Sequence, residues 1–167
     1  MLRRYQNHNF ARVLFILTIV CCSNASVSQS AEPPTRLTAP SVLGTWKGES
    51  ICVGDRPACK NEIVVYRFEA IPDKVGVVLN FADKIIDGQR VPMGKLEFHY
   101  DEAKGELSCE FTRNQNHGLW QFTVLGDAME GSLVLLPGRD QVRSVKVKRV
   151  RESDVPKAPG RNEYEGM

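Results

Sequence analysis

The chain has 167 residues, of which 25% are charged and 42% hydrophobic, and a formal net charge of +2. That composition is ordinary for a globular protein and excludes wholesale disorder. Three of the 22 basic residues, Arg3, Arg4 and Arg12, and none of the 20 acidic ones fall within residues 1–25. Without that segment 19 basic residues face 20 acidic ones, a balance that excludes charge-driven nucleic-acid binding as the leading function.

The first 25 residues have the three-part layout of a secretory signal peptide: a basic start, the uncharged, mostly apolar run Val13–Cys22, and small residues at Ser23-Asn24-Ala25. The apolar run is well short of the roughly 20 residues of a membrane span. Cleavage after 25, or alternatively after 31, would start the mature chain at Ser26 or Glu32 and leave no membrane span. A periplasmic or secreted protein is expected. Residues 26–41, with Pro33, Pro34 and Pro40, read as a flexible linker, 42–150 as one domain, and the Pro- and Gly-containing 151–167 as a disordered tail.

Leader removal takes Cys21 and Cys22 and leaves Cys52, Cys59 and Cys109. An odd number allows at most one internal bridge. Cys52 and Cys59 flank the turn-forming segment Val53–Ala58, so a bridge between them would clip a hairpin loop, whereas Cys109 sits mid-strand on an apolar face. The rival pairings, Cys52–Cys109 and Cys59–Cys109, would join distant parts of the fold. No cysteine or histidine pair has metal-ligand spacing, so neither metal nor cofactor is expected.

From Gly44 onward the apolar period is two. Strands are expected over 44–53, 62–70, 75–83, 95–101, 106–112, 118–125, 128–136 and 141–150. Tight-turn sequences such as Gly126-Asp127 and Pro137-Gly138-Arg139-Asp140 separate most of them, and a longer gap containing Asp87-Gly88 and Val91-Pro92 precedes the fourth. No segment keeps a helical period. The expected fold is all-β, an eight-stranded antiparallel up-and-down barrel with little helix, because closure removes both bare edges of a meander. A sandwich is the competing architecture.

The first strand opens Gly44-Thr45-Trp46, and Arg149 ends the last strand on the same face as Val145 and Val147. In this the chain resembles the lipocalins and the wider calycin group. There a Gly-x-Trp begins the first strand and a basic residue of the last strand packs across the indole. The resemblance implies a structural plug of Gly44, Trp46 and Arg149 at the closed end, and a cup for a small apolar ligand. The turn motif of lipocalins and a helix after the last strand are both missing.

By parity Trp46, Tyr66, Phe68, Phe98, Tyr100, Phe111, Trp120 and Phe122 point inward. Tyr66, Phe68, Phe98, Tyr100, Phe111, Trp120 and Phe122 are the candidate ligand-lining residues, although so many bulky side chains favour a filled interior. Catalysis is not expected. His99 reads as solvent-facing beside Glu97, His117 as a turn residue, and Cys109 as a buried hydrophobe. The expected protein is a monomeric binding module without nucleic-acid partners, holding a small apolar ligand. The alternative is a protein-binding module, such as an exported hydrolase inhibitor acting through the 53–58 loop. Small disulfide-clipped exported barrels of that type resemble this chain at the level of fold.

Overall fold

The computed structural model describes residues 41–113 and 115–166. The leader, both of its cut sites and the linker up to residue 40 lie outside the described residues.

Alternating side chains produce eight strands: β1 (Gly44–Cys52), β2 (Glu62–Ala70), β3 (Val77–Ile86), β4 (Gln89–Asp101), β5 (Glu106–Arg113), β6 (Asn116–Leu125), β7 (Ala128–Leu136) and β8 (Asp140–Val150). Each pairs antiparallel with the next, and β8 returns to β1, which closes the barrel. The all-β, up-and-down expectation therefore holds. Among the described residues no helix is long and apolar enough to cross a membrane.

Two boundaries differ from the sequence reading. The gap before the fourth strand is a two-residue hairpin, Asp87-Gly88, with both φ angles positive (50° and 76°), the geometry that matches strand twist. Pro92 does not end the strand, because it sits where the β3–β4 register shifts between Ala82 and Asp83, and a bulge tolerates the missing N–H. The third strand begins at Val77, not Val75, which is fully exposed.

The lower half of the barrel, toward Gly44 and Val150, is filled by buried apolar side chains. Trp46, Phe68, Val78, Leu107, Val124, Met129 and Val147 form its core. Gly131 makes room for an aromatic: a Cβ there would come within 2.1 Å of the Phe122 ring.

The seam between β4 and β5 is the weakest part of the wall. Three residue pairs join them, His99–Ser108, Tyr100–Leu107 and Asp101–Glu106. Above that point residues 89–98 pair with β3 and 109–113 with β6, so the facing backbone edges have no strand partner among the described residues.

The segment after Val150 is not the disordered tail expected from its composition. It forms two 3-10 turns, Glu152–Asp154 and Arg161–Tyr164, and runs as a strap over the outside of the barrel. Tyr164 is fully buried, with its ring edge-on to Phe81 at 5.0 Å and its hydroxyl donating to Asp83 Oδ1 at 2.5 Å. Arg90 pairs with Asp83 at 2.6 Å and with Glu152 at 2.6 Å, and Thr45 donates to Glu152. Buried Tyr164 and the shared Glu152 carboxylate are among the anchors of a segment whose prolines and glycines suggest none.

Candidate functional site

The closed end is built as parity requires. Trp46 and Arg149 are register partners on neighbouring strands. The guanidinium lies 4.2 Å from the indole ring centre, and the indole N–H donates to the Val42 carbonyl at 2.8 Å. Arg149 also donates to the carbonyls of Ser41 and Leu43 and pairs with Asp127 at 3.1 Å, which ties the incoming chain to the β6–β7 turn. Gly44 has a φ of 116°, and a Cβ on it would meet Arg149 at 3.2 Å. A side chain would disfavour that backbone and crowd the clasp.

The upper half holds a cavity of about 570 Å³. Five of the seven candidate aromatics line it: Tyr66, Phe98, Phe111, Trp120 and Phe122. Phe122 is the hub, stacked on Trp120 at 5.6 Å and edge-on or tilted to Tyr66 and Phe98 at 5.8 Å. The other two candidates lie elsewhere. Phe68 is buried against Phe98 in the packed core, and Tyr100 packs on the same core toward the closed end. The expected filled interior is thus only half right, because the inward side chains toward the closed end bury one another while those above them line a cavity.

The remaining lining includes Met93, Leu96 and Leu133, and also Lys95 and Thr112. Those last two alternate with the inward residues of β4 and β5, so the cavity reaches the outside through the open part of the β4–β5 seam.

Sequence parity left two polar features of the interior unassigned. Asn80, buried to 4% exposure, lines the cavity from β3, and its amide nitrogen has no hydrogen-bond partner among the described residues. Two other buried nitrogens lack well-aligned bonds, but Arg67 Nε and Arg90 NH2 lie 3.0 and 2.6 Å from carboxylate oxygens. Asn80 alone of these has nothing opposite it. The second feature is a cluster of Glu62, Arg143, Ser50 and Tyr66, in which Arg143 donates to Ser50 Oγ at 3.0 Å and pairs with Glu62 at 3.2 Å. Burial pushes the Tyr66 phenol well above its usual range, against the opposing pull of Arg143. It stays a neutral hydroxyl at all ordinary pH.

The Cys52–Cys59 bridge is formed, and Cys109 is a buried free thiol whose pKa burial raises. Asp55, Arg56 and Pro57, at the tip of the clipped loop, are exposed. His117 pairs with Glu110 at 2.6 Å on the outer face, and His99 is exposed. Among the described residues, no group of three or more His, Cys, Asp or Glu side chains could hold a metal ion.

No protein-family model matches the chain, and no curated protein matches it. Its closed eight-stranded antiparallel barrel is consistent with a calycin-like fold.

Proposed function

We propose that this chain is a lipocalin-like binding protein, exported to the periplasm or secreted, that holds a small and mainly apolar molecule in the upper half of its barrel. The observation that carries the reading is the cavity of about 570 Å³ lined by five aromatic rings, a volume within the roughly 300–1,000 Å³ typical of small-molecule sites. The packed lower half and its Trp46–Arg149 plug give that cavity a rigid floor. Catalysis is no part of the reading: His117 pairs with Glu110 on the outer face, and the Cys109 thiol is buried.

The test is titration with neutral N-phenylnaphthylamine, read by energy transfer from tryptophan. One-to-one saturable binding that dodecanol displaces is expected, together with its loss in Ala82→Phe, which fills the cavity. A folded protein that takes up no dye would reject the reading.

A second reading, a hydrolase inhibitor or other protein-binding module, rests on the exposed Asp55-Arg56-Pro57 tip held by the Cys52–Cys59 bridge. A pre-organised loop loses less entropy on docking. Replacing the tip with Gly-Ser-Gly would then abolish partner capture and leave dye binding intact.

A further inference from the structure

The arginines of this barrel divide sharply by whether they have a partner. Six of the described ones, Arg67, Arg90, Arg143, Arg149, Arg151 and Arg161, pair with carboxylates. The other three, Arg56, Arg113 and Arg139, have no side-chain hydrogen bond or ion pair among the described residues, and all lie at the upper end. Arg56 is in the clipped β1–β2 loop, Arg113 ends β5, and Arg139 is in the β7–β8 turn.

Two of these flank apolar space. Arg113 continues the inward face of Cys109 and Phe111 and lines the cavity of about 570 Å³. With Phe111 and Leu133, it also lines an adjoining recess of about 360 Å³, to which Arg56 contributes. No Asp or Glu is among the described lining of either space. Glu62, the inward carboxylate on β2, is occupied by Arg143 at 3.2 Å and Lys84 at 3.4 Å. Lys95 is likewise occupied by Glu165 at 2.6 Å. Among the described residues, then, one guanidinium at the aromatic cavity and a second at the adjoining recess have unused donors and no carboxylate partner. Guanidinium binds carboxylate and phosphate through paired, charge-assisted hydrogen bonds.

Building on the ligand-binding reading above, we propose that the ligand is an amphipathic acid. Its apolar body sits among Phe111, Trp120 and Leu133, and its anionic head, carboxylate or phosphate, is held by Arg113 and Arg56 at the rim. The disulfide clip then has a functional consequence, since it fixes the loop that presents Arg56.

Calorimetric titration with dodecanoate, dodecyl phosphate and dodecanol, at neutral pH and low salt and below micelle formation, tests this directly. At least one of the two anions should bind about ten-fold or more tightly than the alcohol. The Arg56→Gln/Arg113→Gln double variant should lose that advantage and keep its dodecanol affinity. Lys146→Gln/Lys148→Gln, the same change of charge on the outer face of β8, should keep the advantage. Both mouth arginines are exposed, so an unchanged melting temperature is expected and separates recognition from folding. Equal affinity for alcohol and acids in the parent protein, or an anion preference that survives the double variant, would overturn the inference and leave the cavity reading standing. Binding of none of the three would overturn both.

Discussion

A single parity argument places Trp46 and Arg149 in contact, and the geometry makes that contact measurable. Trp46 is fully buried, so Trp46→Ala should cost about 3–5 kcal/mol in denaturant unfolding. Arg149→Ala should cost less, and Lys148→Ala, exposed one residue away, should stay within about ±0.5 kcal/mol. A double-mutant cycle should return a coupling of at least about 0.5 kcal/mol; zero coupling would mean that the stacking contributes nothing. Asn80 calls for the opposite outcome. Its buried amide has no described partner, and an unmade buried hydrogen bond costs on the order of 1–3 kcal/mol. Asn80→Leu should therefore stabilise the empty protein while weakening any ligand that offers an oxygen to that amide. A destabilised Asn80→Leu would show that the amide is satisfied after all. The plug was legible in the sequence because a strand's two-residue period fixes which side chains share a face. Asn80 was not, since β3 carries apolar residues on both faces, and parity alone says neither that Val78, Asn80 and Ala82 turn inward nor whether the amide finds a partner there.

The strap shows where period-two reasoning runs out. Strands are legible because one apolar face recurs, but residues 151–166 touch the barrel through isolated anchors. The available signal lay on the barrel: Val65 and Phe81 point outward on β2 and β3 and are buried to 0% and 3% exposure, so something had to cover them. Arg67 and Arg161 add their guanidinium groups to the Phe81 ring at 4.7 and 5.4 Å. Acid should loosen this element. Partial burial works to raise the Glu152 carboxyl, but hydrogen bonds from Thr45 and Arg90, and the Arg90 charge, hold it below the ordinary carboxylate value. A group with a depressed folded-state pKa contributes stability above its unfolded value and loses it as pH falls through the folded one. Wild type should accordingly melt higher than Glu152→Gln at neutral pH, with the gap closing below about pH 4. A gap that persists in stronger acid would assign the difference to something other than the ionised carboxylate.

At the scale of the whole molecule, strand count, order and closure followed from the sequence, but the division into a packed lower half and an open upper half did not. That division depends on which inward side chains meet across the barrel and on where β4 and β5 part, and neither leaves a local pattern in the chain. Closure by three residue pairs at that seam has a dynamic consequence. Amides on a strand edge without a partner exchange with solvent through small local openings, whereas those in continuous ladders require larger ones. Hydrogen exchange of the empty protein should therefore be fastest, within the strands, at residues 93–98 and 109–113. It should be slowest along β1 and β8, whose register runs from Thr45–Val150 to Cys52–Arg143. The cavity opens at the same seam, so a bound molecule would rest against those edges and limit their opening. Saturation with dodecanol should slow exchange in 93–98 and 109–113 more than in 142–150. Uniform protection of all eight strands would mean that ligand stabilises the barrel only globally, and protection confined to residues 53–58 would move the site out of the barrel and onto the clipped loop.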